Sequence, residues 1–391
     1  MQAKEVEVFQ SAWRSSWRSS LVSALALACL LPAAASAQDV RIGFTGPVTG
    51  PAAFLGQQMK WGAELAVAKL NAAGGVLGRK VSFEMQDSQC RPADALSGAE
   101  KLLNQDKVDL LLGDLCSGAT MALMPVAEKA GKPMIVSIST LPEITAKAGA
   151  GGNPWVFRTV PNDSMMVKAA AAKLKAAGIK SIAFLAEDTD YGRASVALLK
   201  GEIGGAIQVA SEDYVKPTEA DFLSVLTKLR SGKPDAIAVF MLDQQGANLA
   251  KQYVQFGLAI PLVGRPPLMA PQIKELIAQA KFDGSWTIYP YYDQYHNPAN
   301  DAFVAAFVAA NKQPPHYVAY GIYESVLVAA DAIKRAGSAD PKAVRDALAK
   351  SDYAGILGPI VFDANHQAHN NMVYLVAAGG KLDVKELLPA R

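Results

Sequence analysis

The sequence predicts an α/β protein built as two doubly wound parallel-sheet lobes joined by three hinge strands. Three observations carry this expectation. Strand-like runs alternate with amphipathic runs almost to the C-terminus, the pattern of parallel sheets covered by helices on both faces. The alternation runs twice, from Val40 to about Arg158 and from about Ser181 to Tyr289. Extended, proline-flanked segments fall where one block gives way to the next, at Phe157–Pro161, Trp286–Pro290 and Pro359–Asp363. With 391 residues, 51% of them apolar, the chain can fill more than one core.

The individual elements follow from periodicity. Short β-rich runs predict strands at Val40–Thr45, Lys80–Met85, Asp109–Gly113, Pro133–Ser137, Ser181–Leu185, Ala236–Met241 and Trp286–Tyr289. Between them, helical spacing predicts Met59–Asn71, where Ala63, Val67 and Leu70 share a stripe, then Ala93–Asn104, Ser164–Ala177, Phe222–Arg230 and Asn248–Phe256. Further helices are expected at about Pro298–Ala310 and Tyr317–Ala336. Turns are marked by Gly74-Gly75, Gly178 and Gly232-Lys233-Pro234. In this scheme residues 38–160 plus 288–362 form lobe 1, and 161–287 plus 363–391 form lobe 2.

The first 37 residues read as an export signal and not as fold. Arg14 and Arg18 supply a basic segment, Leu21–Leu31 a short apolar one, and Ala35-Ser36-Ala37 a cleavage site. Glu5 and Glu7 ahead of it suggest that the true start codon lies downstream of Met1, and Cys29 leaves a weaker lipoprotein reading open. A formal net charge of +2 with interspersed signs offers no nucleic-acid or membrane-surface patch. Past the signal, Cys90 and Cys116 are the remaining cysteines; each follows a strand, so one disulfide is expected, with two buried free thiols as the alternative.

Candidate chemistry concentrates in two loops. Leu115-Cys116-Ser117-Gly118-Ala119-Thr120 follows a strand and opens a helix, where free amides and the helix dipole favour an anion; an ordinary serine cap is the competing reading. Ser137-Ile138-Ser139-Thr140 follows the next strand and adds hydroxyls. Phe54, Leu55, Tyr191, Tyr289, Tyr291 and Tyr292 could supply apolar walls, whereas the Tyr317, Tyr320 and Tyr323 stripe reads as core. Glu187, Asp188 and Asp190 read as a solvated acidic loop. Enzyme chemistry has thin support. The sequence has neither a G-x-S-x-G elbow nor an H-E-x-x-H helix, and His366 and His369 sit in a polar turn, so no metal and no cofactor are expected.

TGPVTGPAAFLG, NAAGGVLGRK, the D-S-Q-C and L-C-S-G cysteine pair, STLPEIT, FRTVPND, DYG and G-P-I-V-F-D together resemble the periplasmic Leu/Ile/Val-binding proteins of ABC importers, over Val40 to Leu387. The resemblance implies a type I periplasmic-binding fold with three hinge strands and a disulfide between Cys90 and Cys116. It implies that Ser117 holds a ligand carboxylate, that Thr140 touches carboxylate and amine, and that the Ile138 carbonyl takes the amine. Ser139 belongs to the same loop. Tyr191 closes over the ligand, Leu55 stands where these binders often carry tyrosine, and Leu115 lines the side-chain pocket. One departure matters. Where the amino-acid binders place a glutamate for the ligand ammonium, this chain reads Gly264-Arg265-Pro266-Pro267, with Pro266 in the glutamate's place. Arg265 is unfavourable for an amine and favourable for a carboxylate, with Asp243 as a possible substitute partner.

The expectation is therefore a periplasmic receptor that binds a small organic carboxylate, aromatic or keto acids among them, by hinge closure. Phe54, Tyr191, Tyr289 and Tyr291 would stack on a flat ring. It would work as a monomer with a membrane permease and its ATPase, and without nucleic acid. The alternatives are a neutral amino-acid receptor, a ligand sensor, and a secreted enzyme acting on small carboxylates.

Overall fold

The computed structural model describes residues 38–390 and, of Asp243, the backbone. The expected signal segment, its cleavage site after Ala37 and Cys29 lie outside the described residues. From Val40 onward the chain forms one contact-closed unit.

The first half runs β1 (Val40–Gly46), α1 (Ala53–Ala72), β2 (Val81–Asp87), α2 (Pro92–Asn104), β3 (Leu110–Leu112), α3 (Ser117–Ala130), β4 (Met134–Val136), α4 (Pro142–Ala146) and β5 (Val156–Arg158). Its strands make one parallel sheet in the order β2-β1-β3-β4-β5, with Ile42 paired to Phe83 on one side and to Leu110 on the other. The second half runs α5 (Asp163–Ala176), β6 (Ser181–Glu187), α6 (Asp190–Ile203), β7 (Gln208–Val215), α7 (Leu223–Gly232), β8 (Ala236–Phe240), α8 (Asp243–Gln255), β9 (Leu262–Arg265) and α9 (Lys274–Ala278). Its parallel sheet has the order β7-β6-β8-β9. Both sheets thus repeat one winding, in which the chain reverses direction beside the first strand. That reversal leaves a crevice at the carboxyl ends of the strands.

The rest of the chain returns to both halves. β10 (Trp286–Tyr289) lies beside β9, tied by Thr287 Oγ1 to the Gly264 carbonyl at 2.9 Å. α10 (Pro298–Asn311) packs on α1, and α11 (Tyr317–Ala336) is buried along nearly its whole length between α1 and the first sheet. α12 (Pro341–Leu348), a small hairpin of β11 (Tyr353–Gly355) and β12 (Gly358–Ile360), and a long one of β13 (Asn371–Ala378) and β14 (Lys381–Pro389) complete the chain.

Several elements escape periodicity, β7 and the β13–β14 hairpin among them. β7 is an edge strand with polar, partly exposed residues, so it carries no apolar run. The β13–β14 hairpin pairs with β10 in an antiparallel sheet, which the alternating pattern did not announce.

Where the halves meet, Gln367 spends its whole amide. Its Oε1 accepts from Thr145 Oγ1 (2.8 Å) and Asn162 Nδ2 (3.2 Å), and its Nε2 donates to the carbonyls of Val160 and Ala368 (both 2.8 Å). This ties the stretch after β5 to the stretch before β13. His366 stacks on Phe157 at 3.9 Å, and His369 bridges Asp363 (2.9 Å) and the Ala390 carbonyl (2.7 Å), so both histidines serve packing.

Cys90 and Cys116 are bonded, with Cα atoms 5.3 Å apart, joining the β2–α2 turn to the start of α3 across 26 positions. A loop of that length corresponds to about 3.5 kcal/mol in the chain-entropy account. Reduction should therefore lower the denaturation midpoint, and a Cys90→Ala, Cys116→Ala variant should match the reduced protein. A midpoint indifferent to reductant in a urea titration would contradict this.

Glu324, on α11, is 3% exposed and accepts from the Ile356 N–H at 2.6 Å. Burial raises its carboxyl from 4.5 to about 7. Between those values the unfolded chain is ionised and the folded one holds the proton, so stability falls as pH rises from about 4.5 through 7. Glu324→Gln should flatten this fall. Melting curves taken from pH 5 to 8 would test it, and an unchanged slope in the variant would refute it.

Candidate ligand-binding cleft

A cavity of about 480 Å³ lies at the carboxyl ends of both parallel sheets. Its walls come from the loops after β1, β2, β3 and β4 on one side and after β6, β7, β8 and β9 on the other. Phe54 and Leu55, at the start of α1, and Tyr317, at the start of α11, close the ends.

The first wall is built around α3. Asp114, fully buried, accepts from the Cys116 N–H at 2.9 Å and from Thr45 Oγ1 at 2.7 Å, which fixes the turn into the helix. Burial pushes the Asp114 carboxyl upward, against these hydrogen bonds. The capping residue Cys116 has no side-chain cap bond, so Ser117 is the first helical residue and not the cap. The helical ladder begins with Thr120 N–H to the Cys116 carbonyl at 2.9 Å. The N–H groups of Ser117, Gly118 and Ala119 therefore precede the ladder, beside the Ser117 hydroxyl. Leu115, Ser117, Ile138, Ser139 and Thr140 all line the cavity.

The hydroxyls there have different freedoms. Ser139 Oγ donates to the Asp114 carbonyl at 2.7 Å and lies 2.6 Å from Thr120 Oγ1, which locks the two loops together. Thr140 Oγ1 donates to Asp163 Oδ2 at 2.9 Å, while the Asp163 N–H donates to the Thr140 carbonyl at 2.8 Å. Behind the loop, Gly321 of α11 comes so close that a Cβ there would strike the Ser137 carbonyl. Glycine is needed for that approach.

The second wall carries Arg265, Tyr191, Glu187 and Gln245. Arg265 is 8% exposed. Its guanidinium lies 4.5 Å from the Tyr289 ring, 5.7 Å from Tyr317 and 5.8 Å from Tyr191, and its Nη1 is 3.7 Å from Asp163 Oδ1. Its buried Nε has no hydrogen-bond partner. Asp163, 1% exposed, is pushed upward by burial and pulled back by Arg265, Thr140 and Arg158. The two guanidiniums beside it favour the carboxylate form against that burial. Burial also pushes the Tyr191 phenol upward, so it stays protonated.

Several placements differ from the sequence expectations. Glu187 is 3% exposed and not a solvated side chain; it accepts from Thr189 Oγ1 at 2.8 Å and from the Leu242 N–H at 3.0 Å, because it ends β6 inside the wall. Asp190 does remain exposed, with Oδ2 directly over Gly118 across the cleft. Tyr289 sits behind the wall, against Arg265 and edge-on to Tyr317 at 5.0 Å. Tyr291 turns away to stack on Tyr320 at 4.4 Å, and Tyr292 is buried against the Leu382 carbonyl. Tyr317 belongs to the core with Tyr320 and Tyr323, as expected, and also lines the cavity from the start of its helix. Asp243 opens α8, between the lining residues Leu242 and Gln244. Asp163 went unnoticed in the sequence. Only its place in the turn Pro161-Asn162-Asp163, right after the first crossover, pointed to it.

A family model described as periplasmic binding protein matches residues 39–381. The leucine-, isoleucine-, valine-, threonine- and alanine-binding protein of Pseudomonas aeruginosa is 29% identical over 340 residues, 86% of this chain and 88% of that one. A solute-binding protein of an ABC transporter from R. palustris, solved in complex with benzoate, superposes with a TM-score of 0.82 at 28% identity, covering 90% of this chain and 97% of that one. The branched-chain amino acid transporter substrate-binding protein of Streptococcus pneumoniae, solved with isoleucine, superposes at 0.79 and 26% identity, covering 90% and 99%. With its two parallel-sheet lobes and a cleft walled by both, this chain belongs to the periplasmic binding protein family, in the type I, branched-chain amino-acid branch.

Proposed function

We propose that this protein is the periplasmic receptor of an ABC importer and that its cargo is a small organic carboxylate without an α-amine. The observation that carries the reading is Arg265, a buried guanidinium at the end of β9 that lines the cavity wall. An ammonium beside it would add a second positive charge to a dry site, at a cost of several kcal/mol. A carboxylate is suited to the opposite wall, where Ser117 and the first amides of α3 offer donors. The benzoate complex of the R. palustris relative supports the same class. Phe54 and Tyr191 give the remaining space an aromatic lining.

In this reading the cargo docks on Ser117 in lobe 1 (38–160 plus 288–362). Lobe 2 (161–287 plus 363–391) then closes with Tyr191 and Arg265. The closed form is what the permease recognises. The protein itself needs neither cofactor nor catalytic group; transport energy comes from a separate ATPase. The expected export signal places it in the periplasm, as a monomer.

A neutral amino acid is the second reading. It is favoured by the carboxylates Glu187 and Asp190 on the wall and by the isoleucine complex of the S. pneumoniae relative. Glu187, however, already has a partner on each oxygen.

A thermal-shift screen of benzoate-like acids, keto acids and neutral amino acids separates the two. Carboxylates without an amine should raise the melting temperature; shifts with leucine or valine alone would reverse the assignment. Ser117→Ala should weaken the best carboxylate about tenfold or more by isothermal titration, the size expected for one hydrogen bond to a charged group. Equal affinity in that variant would move the carboxylate elsewhere. Arg265→Gln should lower carboxylate affinity and raise that for leucine.

A further inference from the structure

The two halves also meet outside the stretches that join them, where α6 touches α3. Gly118 is the second residue of α3, and its backbone is not left-handed, so the conformation there does not require glycine. What a side chain would meet is the other half of the molecule. A Cβ at Gly118 would lie 2.8 Å from Asp190 Oδ2 of α6 and 3.6 Å from Pro92 Cγ.

The first turn of α6 is held in place for this contact. Its capping residue Thr189 donates to Glu187 Oε1 at 2.8 Å and accepts from the Gly192 N–H at 3.2 Å. One turn after Asp190 comes Ala194, which is partly buried. Ala194 packs against the apolar cluster of the first half, built from α2, β3, α3 and β4, although its helix belongs to the second. It lies outside the cavity lining, whereas Asp190, Gly118 and Pro92 are part of it.

We propose that this contact is the clasp of the receptor: the first turn of α6 is the face on which the second half lands, and the small residues Gly118 and Ala194 set how far the cleft shuts. The proposal rests on the hinge-closure reading above and names the surface that closure brings together. A bulky group between the two faces disfavours the closed state, and apparent affinity falls with the closed fraction.

Isothermal titration of the chain from Gln38 on, with benzoate and with leucine as probes, tests this. Ala194→Trp should weaken whichever probe binds by about tenfold or more, the factor by which the closed fraction falls. Gly201→Trp puts the same bulk on the same helix in open space and should leave affinity unchanged. Should Ala194→Trp not fold, Ala194→Lys takes its place, since its long stem can reach solvent in the open form. A second measurement needs no cargo: the pair Gly118→Cys, Asp190→Cys should join under mild oxidation, with the bridge mapped by mass spectrometry. The proposal is overturned if the enlarged Ala194 variant binds as tightly as the unmodified protein, if both tryptophan variants lose affinity alike, or if the cysteine pair does not join. Binding of leucine in place of benzoate removes the carboxylate reading alone, and the clasp is still judged by the same ratio.

Discussion

The Asp163 carboxylate holds the cleft together. It begins the first helix after the chain leaves the first sheet, takes the Thr140 hydroxyl on one oxygen, and faces Arg265 with the other. Arg158 approaches from the hinge side, where it donates to the carbonyls of Ser139 and Leu141. A buried carboxylate in this position is unfavourable unless cations and hydroxyls surround it. The loops that surround it also line the cavity. The energetic need of one buried charge and the shape of the cavity wall are thus the same constraint.

The aromatic residues extend that constraint outward. Tyr289, Tyr191 and Tyr317 flank the Arg265 guanidinium, which is 8% exposed. On the opposite wall, Asp114 and the disulfide hold the opening of α3 rigid. A fixed helix opening on one wall and a caged cation on the other leave the cavity preorganised.

Much of this was legible in the sequence, and the remainder was hidden for physical reasons. Alternating strands and helices announced both sheets, because parallel strands buried on both faces leave continuous apolar runs. Ser117 and Thr140 were readable because each follows a strand end. Glu187 and Asp163 were not, since the burial of an acid depends on partners far away in the chain: the Leu242 amide for one, Arg265 for the other. That Tyr317, a core residue, also lines the cavity was not legible, because a helical stripe does not reveal where its first member sits. The β13–β14 hairpin escaped because an antiparallel return at the end of an alternating chain has no local signature.

The saturated amide of Gln367 bears on the proposed closure, because it ties the two halves where the chain passes between them. It ties the stretches on both sides of the passage between the sheets, so those stretches can twist but not separate. In a hinged body the arc travelled grows with distance from the pivot. Gly118 and Asp190, one from each wall, touch across the cleft. A fluorescent reporter for the proposed closure placed beside them would read the motion of the two walls, whereas one beside Gln367 would be nearly silent.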